Sequence, residues 1–350
     1  MRPVRSRVVS VLLALAAAAV VAWVPFWWWA PVGSPLAFGL LALTPVVSGV
    51  AVVVAAVCLL ARRWVTGAVA AVAALALLAV VVPRATGDGD PVVTPGPTSA
   101  PVTVATINMR FGQADPAAVV GLVRAQQVEV LGLQEVTPEA EQALADAGLR
   151  AELPFVASRA EEGAGGTALY ARHPLTSSGL VLREGVFSQV TARVLAPSGP
   201  VDVVVAHPAA PVFRDDAAGW AREITNLPGP APLEGPPRLV LGDLNATLDH
   251  RPLRELLSGD IKGSTPIGER SSTLGAGPWT DSAAAVGAGL RGTWPTDRTL
   301  PPFAAIDHVL VSGPIAPVDL TTQVLPGSDH AGVVVRLLVR DGRAPVTPGA

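Results

Sequence analysis

The distribution of apolar residues divides the chain near residue 83. Before this point the sequence contains three long uncharged apolar stretches, and after it short β-branched runs alternate with amphipathic segments. The stretches cover residues 8–24, 36–61 and 64–82, each close to the length that crosses the hydrocarbon core of a bilayer. The pattern therefore predicts a membrane anchor of three transmembrane helices over residues 1–82.

Basic residues indicate how this anchor is oriented. Three arginines lie among the first seven residues, and Arg62 and Arg63 separate the second and third stretches. The positive-inside rule assigns both basic segments to the cytoplasm. Three crossings then put the chain beyond Pro83 outside the cytoplasm, so we predict a multi-pass plasma-membrane protein with a cytoplasmic N-terminus.

Other interpretations of the N-terminal segment are weaker. A basic start followed by an apolar run is also typical of a cleaved signal peptide, but no small-residue cleavage site follows and two further stretches would retain the chain in the membrane. A transporter is disfavoured because the stretches contain no Asp, Glu, Lys, Arg or His. The indoles and prolines at residues 23–31 suit the headgroup boundary, and the prolines are predicted to end the first helix.

The rest of the chain predicts a mixed α/β domain at residues 102–340. It lies between a Pro/Gly-rich linker at residues 83–101 and a tail at residues 341–350 that we predict to be disordered. Strands are predicted at residues 102–107, 128–133, 166–171, 186–195, 201–206, 238–241, 305–311 and 333–339, and helices at 115–127, 137–148, 215–226 and 252–257. Many strands with a few interspersed helices predict a two-sheet β-sandwich flanked by helices.

Composition narrows the function classes. The only cysteine, Cys58, excludes an intrachain disulfide and a Cys-based zinc site. The first 84 residues contain six arginines and no acid, which leaves nineteen basic against twenty-eight acidic residues in the remainder. This acidic balance disfavours a protein whose affinity depends on neutralising many nucleic-acid phosphates.

Residues capable of chemistry follow the predicted apolar strands, interrupt the strand at residues 305–311 or open the last strand. In chain order they are Asn108, Glu135, His207, Asp243, Asn245, Asp307, Asp329 and His330. Strand ends that share one edge of a sandwich bring such residues together. Four carboxylates in one cleft repel each other unless a cation compensates them, and oxygen donors without cysteine favour Mg²⁺ or Mn²⁺ over Zn²⁺. With two amides and two imidazoles added, the set suits hydrolysis of a phosphate ester.

Each of these residues also has an ordinary structural interpretation. Asp243 alone is typical of a turn after a buried strand, and Asn245 of a left-handed or helix-capping position. His308 points away from Asp307 on the same strand, and we predict a structural role for it.

Four further residues are assigned on sequence context. His173 and His250 are predicted to lie in surface loops. Trp279 and Trp294, in Gly/Pro/Thr-rich segments, either line a substrate entrance or pack beneath a loop.

The motifs around these residues match a known superfamily in order. They are Thr106-Ile107-Asn108, Gln134-Glu135-Val136, Gly165-Gly166-Thr167-Ala168-Leu169 with Arg172-His173-Pro174, Ala206-His207-Pro208, Gly242-Asp243-Leu244-Asn245-Ala246-Thr247, Ile306-Asp307-His308-Val309 and Ser328-Asp329-His330. Over residues 102–340 the chain resembles the endonuclease/exonuclease/phosphatase superfamily, which includes DNase I-like nucleases, abasic-site endonucleases, sphingomyelinases and inositol polyphosphate 5-phosphatases. The resemblance implies a DNase I-like sandwich and a divalent-metal-dependent hydrolase.

The resemblance also implies residue roles. The metal ligands are Glu135, Asn108 and Asp329, the catalytic residues are His207, Asp243, Asn245, Asp307 and His330, and the phosphate contacts are Asn108, Asn245 and Arg172. Asp243 would orient or deprotonate water, and Asp307 would fix the tautomer of His330. Arg110 and His207 replace the Asp and Tyr that abasic-site enzymes commonly carry, which favours the DNase I-like and phosphodiesterase branches.

The sequence thus predicts a membrane-anchored, Mg²⁺- or Mn²⁺-dependent phosphoesterase whose domain lies outside the cytoplasm. Its substrate is predicted to be a phosphodiester or phosphomonoester of a small molecule or lipid headgroup, and membrane lipid contacts the N-terminal helices. Two alternatives remain open: an extracellular DNase-like endonuclease that acts on nucleic acid, and a catalytically inactive binding module on the same fold.

Overall fold

Four helices form the N-terminal part of the computed structural model, which describes residues 2–87, 99–181, 187–211, 214–232, 235–259 and 278–340. They are α1 (Arg2–Trp29), α2 (Pro35–Leu41), α3 (Thr44–Leu60) and α4 (Trp64–Thr86). Helix α1 continues past Pro25, so the prediction that the prolines end it at residue 24 was wrong. A proline removes only its own N–H bond, and the backbone bond from Ala30 to Phe26 shows that the next turn forms normally.

The second apolar stretch is not one straight helix. Helices α2 and α3 are bent by 63° at a short break, where Pro45 begins the first turn of α3. Within the described residues, two helices are long and apolar enough to cross a membrane, at residues 7–29 and 64–86, and the bent pair makes up to three. The predicted apolar helices are therefore present, while the number of crossings is two or three by length and composition.

Small residues line the contacts among α1, α3 and α4. Ala51, Cys58 and Ala70 are fully buried between the helices, and a Cβ atom at Gly67 would lie 2.7 Å from a methyl carbon of Leu59. The outward faces carry exposed valines and leucines. Small residues at the contacts and large apolar residues facing outward are typical of helices packed in lipid.

The two-sheet domain contains twelve strands and six helices within the described residues. The strands are β1 (Ser99–Asn108), β2 (Val130–Gln134), β3 (Phe155–Arg159), β4 (Thr167–Ala171), β5 (Leu175–Leu180), β6 (Val190–Ala196), β7 (Gly199–Ala206), β8 (Arg238–Asp243), β9 (Thr280–Asp281), β10 (Asp307–Ser312), β11 (Ile315–Val324) and β12 (Ala331–Arg340). The helices are α5 (Pro116–Ala125), α6 (Pro138–Asp146), α7 (Leu149–Glu152), α8 (Arg214–Thr225), α9 (Arg251–Ser258) and α10 (Ser282–Ala285). Asp115 and Thr137 cap α5 and α6 as the sequence predicts.

The strands form two six-stranded sheets that pack face to face. Their orders are β11-β12-β1-β2-β4-β3 and β5-β6-β7-β8-β10-β9, with β1 parallel to β2 and β7 parallel to β8. Alternating Val and Leu residues fill the space between the sheets, and a Cβ atom at Gly132 would lie 3.1 Å from Leu241 of the opposite sheet. Helices cover the outer faces, so the predicted two-sheet sandwich flanked by helices is confirmed.

Most of the predicted linker and the whole predicted tail lie outside the described residues. Within the predicted linker of residues 83–101, α4 runs to Thr86 and β1 begins at Ser99. Residues 88–98 of the linker and the whole predicted tail, residues 341–350, lie outside the described part of the chain. The boundaries themselves remain predictions.

A buried ion pair joins the ends of two N-terminal helices to the two-sheet domain. Asp249, 1% exposed, accepts two hydrogen bonds from Arg84 of α4 at 2.9 Å each and one from the indole N–H of Trp27 at 2.7 Å. Arg254 of α9 lies 3.8 Å above the Trp27 ring and donates to the Trp27 carbonyl oxygen. Because a buried carboxylate is costly without such partners, these contacts fix α1 and α4 on the domain.

Helix α2 contacts the domain through His250. The His250 Nδ1 atom accepts a hydrogen bond from the Thr247 N–H at 2.9 Å, and Nε2–H donates to the Phe38 carbonyl oxygen at 3.0 Å. The Phe38 ring packs against His250 and Trp220. The prediction that His250 lies in a surface loop was wrong, because α2 covers it and leaves it 2% exposed.

This contact makes the protein's stability depend on pH. Both ring nitrogens of His250 are bonded in the neutral form, and burial lowers its pKa from 6.5 to about 4. The unfolded chain therefore takes up a proton near pH 6.5 while the folded chain does not. The contribution of neutral His250 to the free energy of unfolding is fully present above pH 6.5 and is lost as the pH falls towards 4. The free energy of unfolding should decrease by about 2 kcal/mol between pH 8 and pH 5.

Thermal unfolding of the full chain at several pH values, compared with His250→Gln, measures this effect. The variant is expected to lose most of the dependence between pH 6.5 and 5, since an amide can donate and accept without titrating. An equal slope in both proteins would contradict the assignment.

Candidate active site

Strand ends gather the predicted site residues at one edge of the sandwich. Asn108 ends β1 and pairs in register with Gln134, which directly precedes Glu135. In the other sheet Asp243 ends β8 opposite Asp307, the first residue of β10. Parallel pairing in each sheet directs the carboxyl ends of β1, β2, β7 and β8 to the same edge.

The backbone at this edge adopts conformations that few side chains tolerate. Glu135 and Asn245 have positive φ angles of 56° and 47°, in the left-handed region. At Gly242 a Cβ atom would lie 1.8 Å from the Ala206 carbonyl oxygen, so only glycine lets β8 approach β7 immediately before Asp243. Such strained positions concentrate at functional sites.

Two carboxylates share one amide at the centre of the site. Asn108 Nδ2 donates to Glu135 Oε1 at 3.0 Å and to Asp243 Oδ2 at 3.1 Å, while Asn108 Oδ1 accepts from the Arg110 N–H. The Phe111 N–H donates to Glu135 Oε2 at 2.8 Å. Burial raises the pKa of Glu135 and that of Asp243, although the neighbouring His330 opposes the shift at Asp243. Burial therefore disfavours the charged form of both carboxylates at this centre.

His330 and Asp307 form a buried pair beside this centre. His330 Nδ1 lies 2.9 Å from Asp307 Oδ2, and its Nε2 lies 3.7 Å from Asp243 Oδ2. Burial disfavours the charged ring, but the carboxylates of Asp307 and Asp243 outweigh it and raise the pKa of His330 to about 10. His330 is therefore protonated at neutral pH, with its Nε2–H directed to the carboxylate centre. Ser328 fixes its backbone by accepting from the His330 N–H and donating to the Asn108 carbonyl oxygen.

His207 differs from His330 in its charge state. Its Nδ1–H donates to the Ala164 carbonyl oxygen at 3.1 Å, which leaves Nε2 facing Glu135 and Asp243 at 3.8 Å. Burial lowers the pKa of His207, and the Phe187 ring stacks on it at 5.1 Å. The site thus contains one protonated and one neutral imidazole.

The predicted site residues Asp329 and Asn245 also line this cleft. Asp329 accepts from the Trp294 indole N–H at 3.1 Å and lies 3.8 Å from the Arg110 guanidinium. The Asn245 side chain donates to the Pro208 carbonyl oxygen, and its backbone N–H donates to Asp243 Oδ1 at 2.8 Å. The structure therefore brings together all six predicted carboxylate and histidine positions. Asn245 lines the cleft with them, and Asn108 bridges two of the carboxylates.

Trp294, Trp279 and His308 lie in three different surroundings. Trp294 lines the cleft, whereas Trp279 is buried in the core beneath α9. His308 faces away from the cleft and bonds to Asp281 at 2.7 Å and to the Ala246 carbonyl oxygen at 2.7 Å, as a structural histidine does.

Arg172 does not reach the site. Strand β4 runs antiparallel to β2, so the residue after Ala171 lies beside the start of β2 rather than beside Glu135. Its guanidinium donates to the Val128 carbonyl oxygen. The phosphate contact predicted for Arg172 is therefore wrong, because the sequence does not show the direction in which β4 runs. His173, next to it, pairs with Glu129 at the same far edge.

The cleft has a volume of about 670 Å³ and two unlike sides. One side is the polar centre, and the other is apolar and includes residues of α2. The lining residues that sequence reasoning missed include Pro35, Phe38, Gly39, Ala42, Phe111, Phe187 and Phe303. Pro35 directly precedes the second apolar stretch and the next three belong to it, and the sequence predicts that stretch to be transmembrane. The three phenylalanines are apolar, and an apolar residue in a connecting segment carries no signal of a binding site.

The donor set fits a hard divalent cation. Glu135 and Asp329 offer carboxylate oxygens, Asn108 an amide group, and the described residues of the cleft include no thiolate. The one group of three His, Cys, Asp or Glu in the described residues whose ligand atoms lie within 4.8 Å of one another is Asp243, Asp307 and His330. Asp307 and His330 already bond to each other. These three residues therefore suit proton transfer better than metal coordination.

Two sheets with an acidic, histidine-containing edge define a DNase I-like sandwich protein. The chain belongs to the endonuclease/exonuclease/phosphatase family, whose sequence profile matches residues 105–330. Enzymes of this family generally hydrolyse phosphate esters with a divalent metal.

The chain is similar to several solved structures at low sequence identity. A D. rerio TDP2 humanized by 14 mutations is 15% identical, covering 68% of this chain and 98% of that one, with a TM-score of 0.50. D. rerio TDP2 complexed with single strand DNA product is 15% identical over 68% and 99%, with a TM-score of 0.48. An endonuclease/exonuclease/phosphatase from Beutenbergia cavernae DSM 12333 is 17% identical over 71% and 73%, with a TM-score of 0.46. No curated protein matches the chain.

Proposed function

We propose that the chain is a membrane-anchored, divalent-metal-dependent phosphoesterase that hydrolyses a phosphodiester or phosphomonoester of a small molecule or lipid headgroup outside the cytoplasm. The observation that supports it is the convergence of Glu135, Asp243 and the Asp307–His330 pair in one cleft. Family membership supports the same reaction class. The low basicity of the domain supports a substrate other than a long nucleic acid.

Three residues would hold the metal in this proposal: Glu135, Asn108 and Asp329. Mg²⁺ or Mn²⁺, when bound there, supplies positive charge to the phosphate oxygens and polarises the phosphorus. Two carboxylates, Glu135 and Asp243, meet at one amide in this place, and burial raises the pKa of both, so a bound cation would stabilise their charged forms. Asn108 would then present its amide to the metal or to a phosphate oxygen.

The remaining residues would move protons and hold the phosphate. Asp243 orients water and takes its proton, and its raised pKa makes it a stronger base than an exposed aspartate. His330, protonated and fixed by Asp307, donates Nε2–H to a phosphate oxygen as charge develops. His207 offers a neutral Nε2 to exchange a proton, and Asn245 holds a phosphate oxygen.

The anchor and its orientation belong to the same proposal. We assign the N-terminus to the cytoplasm and the two-sheet domain to the outer side of the plasma membrane, on the positive-inside rule. To test this, Cys58 is replaced by serine and single cysteines are introduced at Ser6 and at the exposed Glu139. On intact cells, a membrane-impermeant thiol reagent should label Glu139→Cys and not Ser6→Cys. Labelling of Ser6→Cys but not Glu139→Cys would reverse the assignment.

A substrate panel tests the reaction. The full chain in amphipol, a phosphate-free carrier, is incubated with Mg²⁺ and a phosphodiester chromogen, a phospholipid, nucleotides or plasmid DNA, with Glu135→Gln as the blank. We expect Glu135-dependent, metal-stimulated hydrolysis of a small ester or a lipid. Rapid DNA cleavage that falls steeply with salt would favour the endonuclease alternative. No hydrolysis on any substrate would favour the inactive binding module.

A further inference from the structure

Helix α2 forms part of the wall of the candidate active site. Pro35, Phe38, Gly39 and Ala42 line the same cleft as Glu135 and His330. The α2 residues contribute no charge, and the cleft volume of about 670 Å³ lies within the usual range for small-molecule sites, about 300–1,000 Å³. One cavity therefore joins a polar centre suited to phosphate chemistry to an apolar surface.

This wall is held in place rather than resting loosely on the domain. Ser34 caps α2 by accepting from the Ala37 N–H, and the Phe38 carbonyl oxygen accepts from His250. The Phe38 ring packs edge-on against Trp220 at 5.3 Å. Helix α2 also continues within three residues into α3, which belongs to the apolar bundle. The cleft is thus continuous with the segment that would meet the bilayer.

Among the described residues that line the cleft, none on its apolar side is an arginine or a lysine. Arg110, two residues after Asn108, pairs with Asp297 at 3.0 Å and lies 3.8 Å from Asp329. Phe111 and Phe303 lie at the cleft with about half of their surface exposed. A water-soluble polyanion gains nothing from such a wall, whereas a hydrocarbon chain does.

We infer that the α2 wall is a hydrocarbon subsite, and that the substrate is an amphiphilic phosphate ester taken from the membrane that anchors the protein. Its phosphate lies at the Glu135–Asp243–His330 centre and its chain lies along α2. The inference rests on the proposed function and extends it by naming the substrate class.

A matched pair of glycines makes the subsite testable. An added Cβ atom meets nothing within 4 Å at Gly39, which faces the cleft, or at Gly49, which lies on α3 outside it. Gly39→Trp fills the apolar side without a backbone clash, and Gly49→Trp is the control. Gly39→Asp is a smaller second variant that places a charge on the wall.

Two readouts use the full chain in amphipol with Mg²⁺. The first is kcat/KM for octyl and methyl p-nitrophenyl phosphate, which share a leaving group and differ only in hydrocarbon. The second is calorimetric binding of octyl and ethyl phosphate, which does not require turnover. Each buried methylene is expected to strengthen binding by about fourfold, so a preference of at least about tenfold for the octyl compounds is expected in the wild type.

The inference is supported if Gly39→Trp and Gly39→Asp lower kcat/KM and affinity far more for the octyl compounds than for the short ones, so that the octyl preference is lost, while Gly49→Trp retains both the preference and the methyl-ester rate of the wild type. It is overturned if the wild type shows no octyl preference, or if both tryptophan variants lose it equally. In that case Glu135-dependent hydrolysis of the methyl ester would leave the proposed function standing. An octyl preference in binding with neither ester hydrolysed would instead retain the subsite and overturn the phosphoesterase.

Discussion

Replacing Glu135 with glutamine is expected to lower the metal-dependent turnover rate by about 10³-fold or more. This loss corresponds to an activation barrier raised by about 4 kcal/mol. Glu135 is held by the Asn108 amide and the Phe111 N–H in a left-handed backbone conformation, with its carboxylate directed into the cleft. Glutamine keeps the shape and one acceptor oxygen but removes the charge that would attract the metal. Steady-state rates over a Mg²⁺ titration measure the loss.

Glu139→Gln is the matched control for this prediction, because Glu139 lies four residues away on the exposed face of α6. Its rate should stay within about twofold of the wild type, as surface substitutions usually do little. Thermal unfolding separates chemistry from folding: Glu135→Gln should retain the melting temperature without metal and lose the increase that Mg²⁺ gives the wild type. A Glu135→Gln protein that keeps its rate would remove Glu135 from the metal site.

The site was predictable to the extent that it depends on strand ends. Apolar runs followed at once by Asn108, Glu135, His207 and Asp243 place those residues at strand termini whatever the strand order. The same reasoning gave a wrong position for Arg172, because Arg172 follows a strand that runs antiparallel to β2. An apolar run does not indicate the direction in which its strand runs in the sheet. Strand direction is a property of the whole sheet, which local pattern does not contain.

Edge strands were the main part of the fold that sequence reasoning missed. Strand β5 is largely exposed and carries Ser and Gly, and β11 contains Pro317 beside a shift in register. Both pair on one side only, at the ends of their sheets. Strands held by one neighbour need little hydrophobic alternation, so their pattern is weak.

The contact between the anchor and the domain was also beyond sequence reasoning. The sequence predicts Trp27 at the membrane boundary, Phe38 in a transmembrane stretch and His250 in a surface loop, and it assigns no role to the adjacent Asp249. In the structure the four meet through contacts that span more than 200 residues of chain. A local window contains neither partner, so the α2 wall of the cleft becomes apparent only in three dimensions.

Replacing Asp307 with asparagine is expected to lower turnover by about 10²- to 10⁴-fold, the usual contribution of a positioned acid or base. Asp307 bonds His330 Nδ1 at 2.9 Å, and its other oxygen, Oδ1, is buried with no hydrogen-bond partner among the described residues. The carboxylate therefore acts chiefly on His330. Asparagine removes the charge that keeps the ring protonated. Single-turnover rates of the variant, compared with the wild type at equal folded fraction, measure the effect.

A double-mutant cycle shows whether the pair acts as a unit. If Asp307 works through His330, then Asp307→Asn combined with His330→Gln should be no slower than the worse single variant, because residues that act together lose their effect only once.

The fold supplies a control in the neighbouring buried pair, His308 and Asp281, at 2.7 Å on the opposite face of the same strand. Asp281→Asn breaks an equally buried pair, so it should lower stability and leave the rate per folded molecule within about threefold. Comparable rate losses for Asp281→Asn and Asp307→Asn would reduce Asp307 to a structural residue, and additive losses in the cycle would separate it from His330.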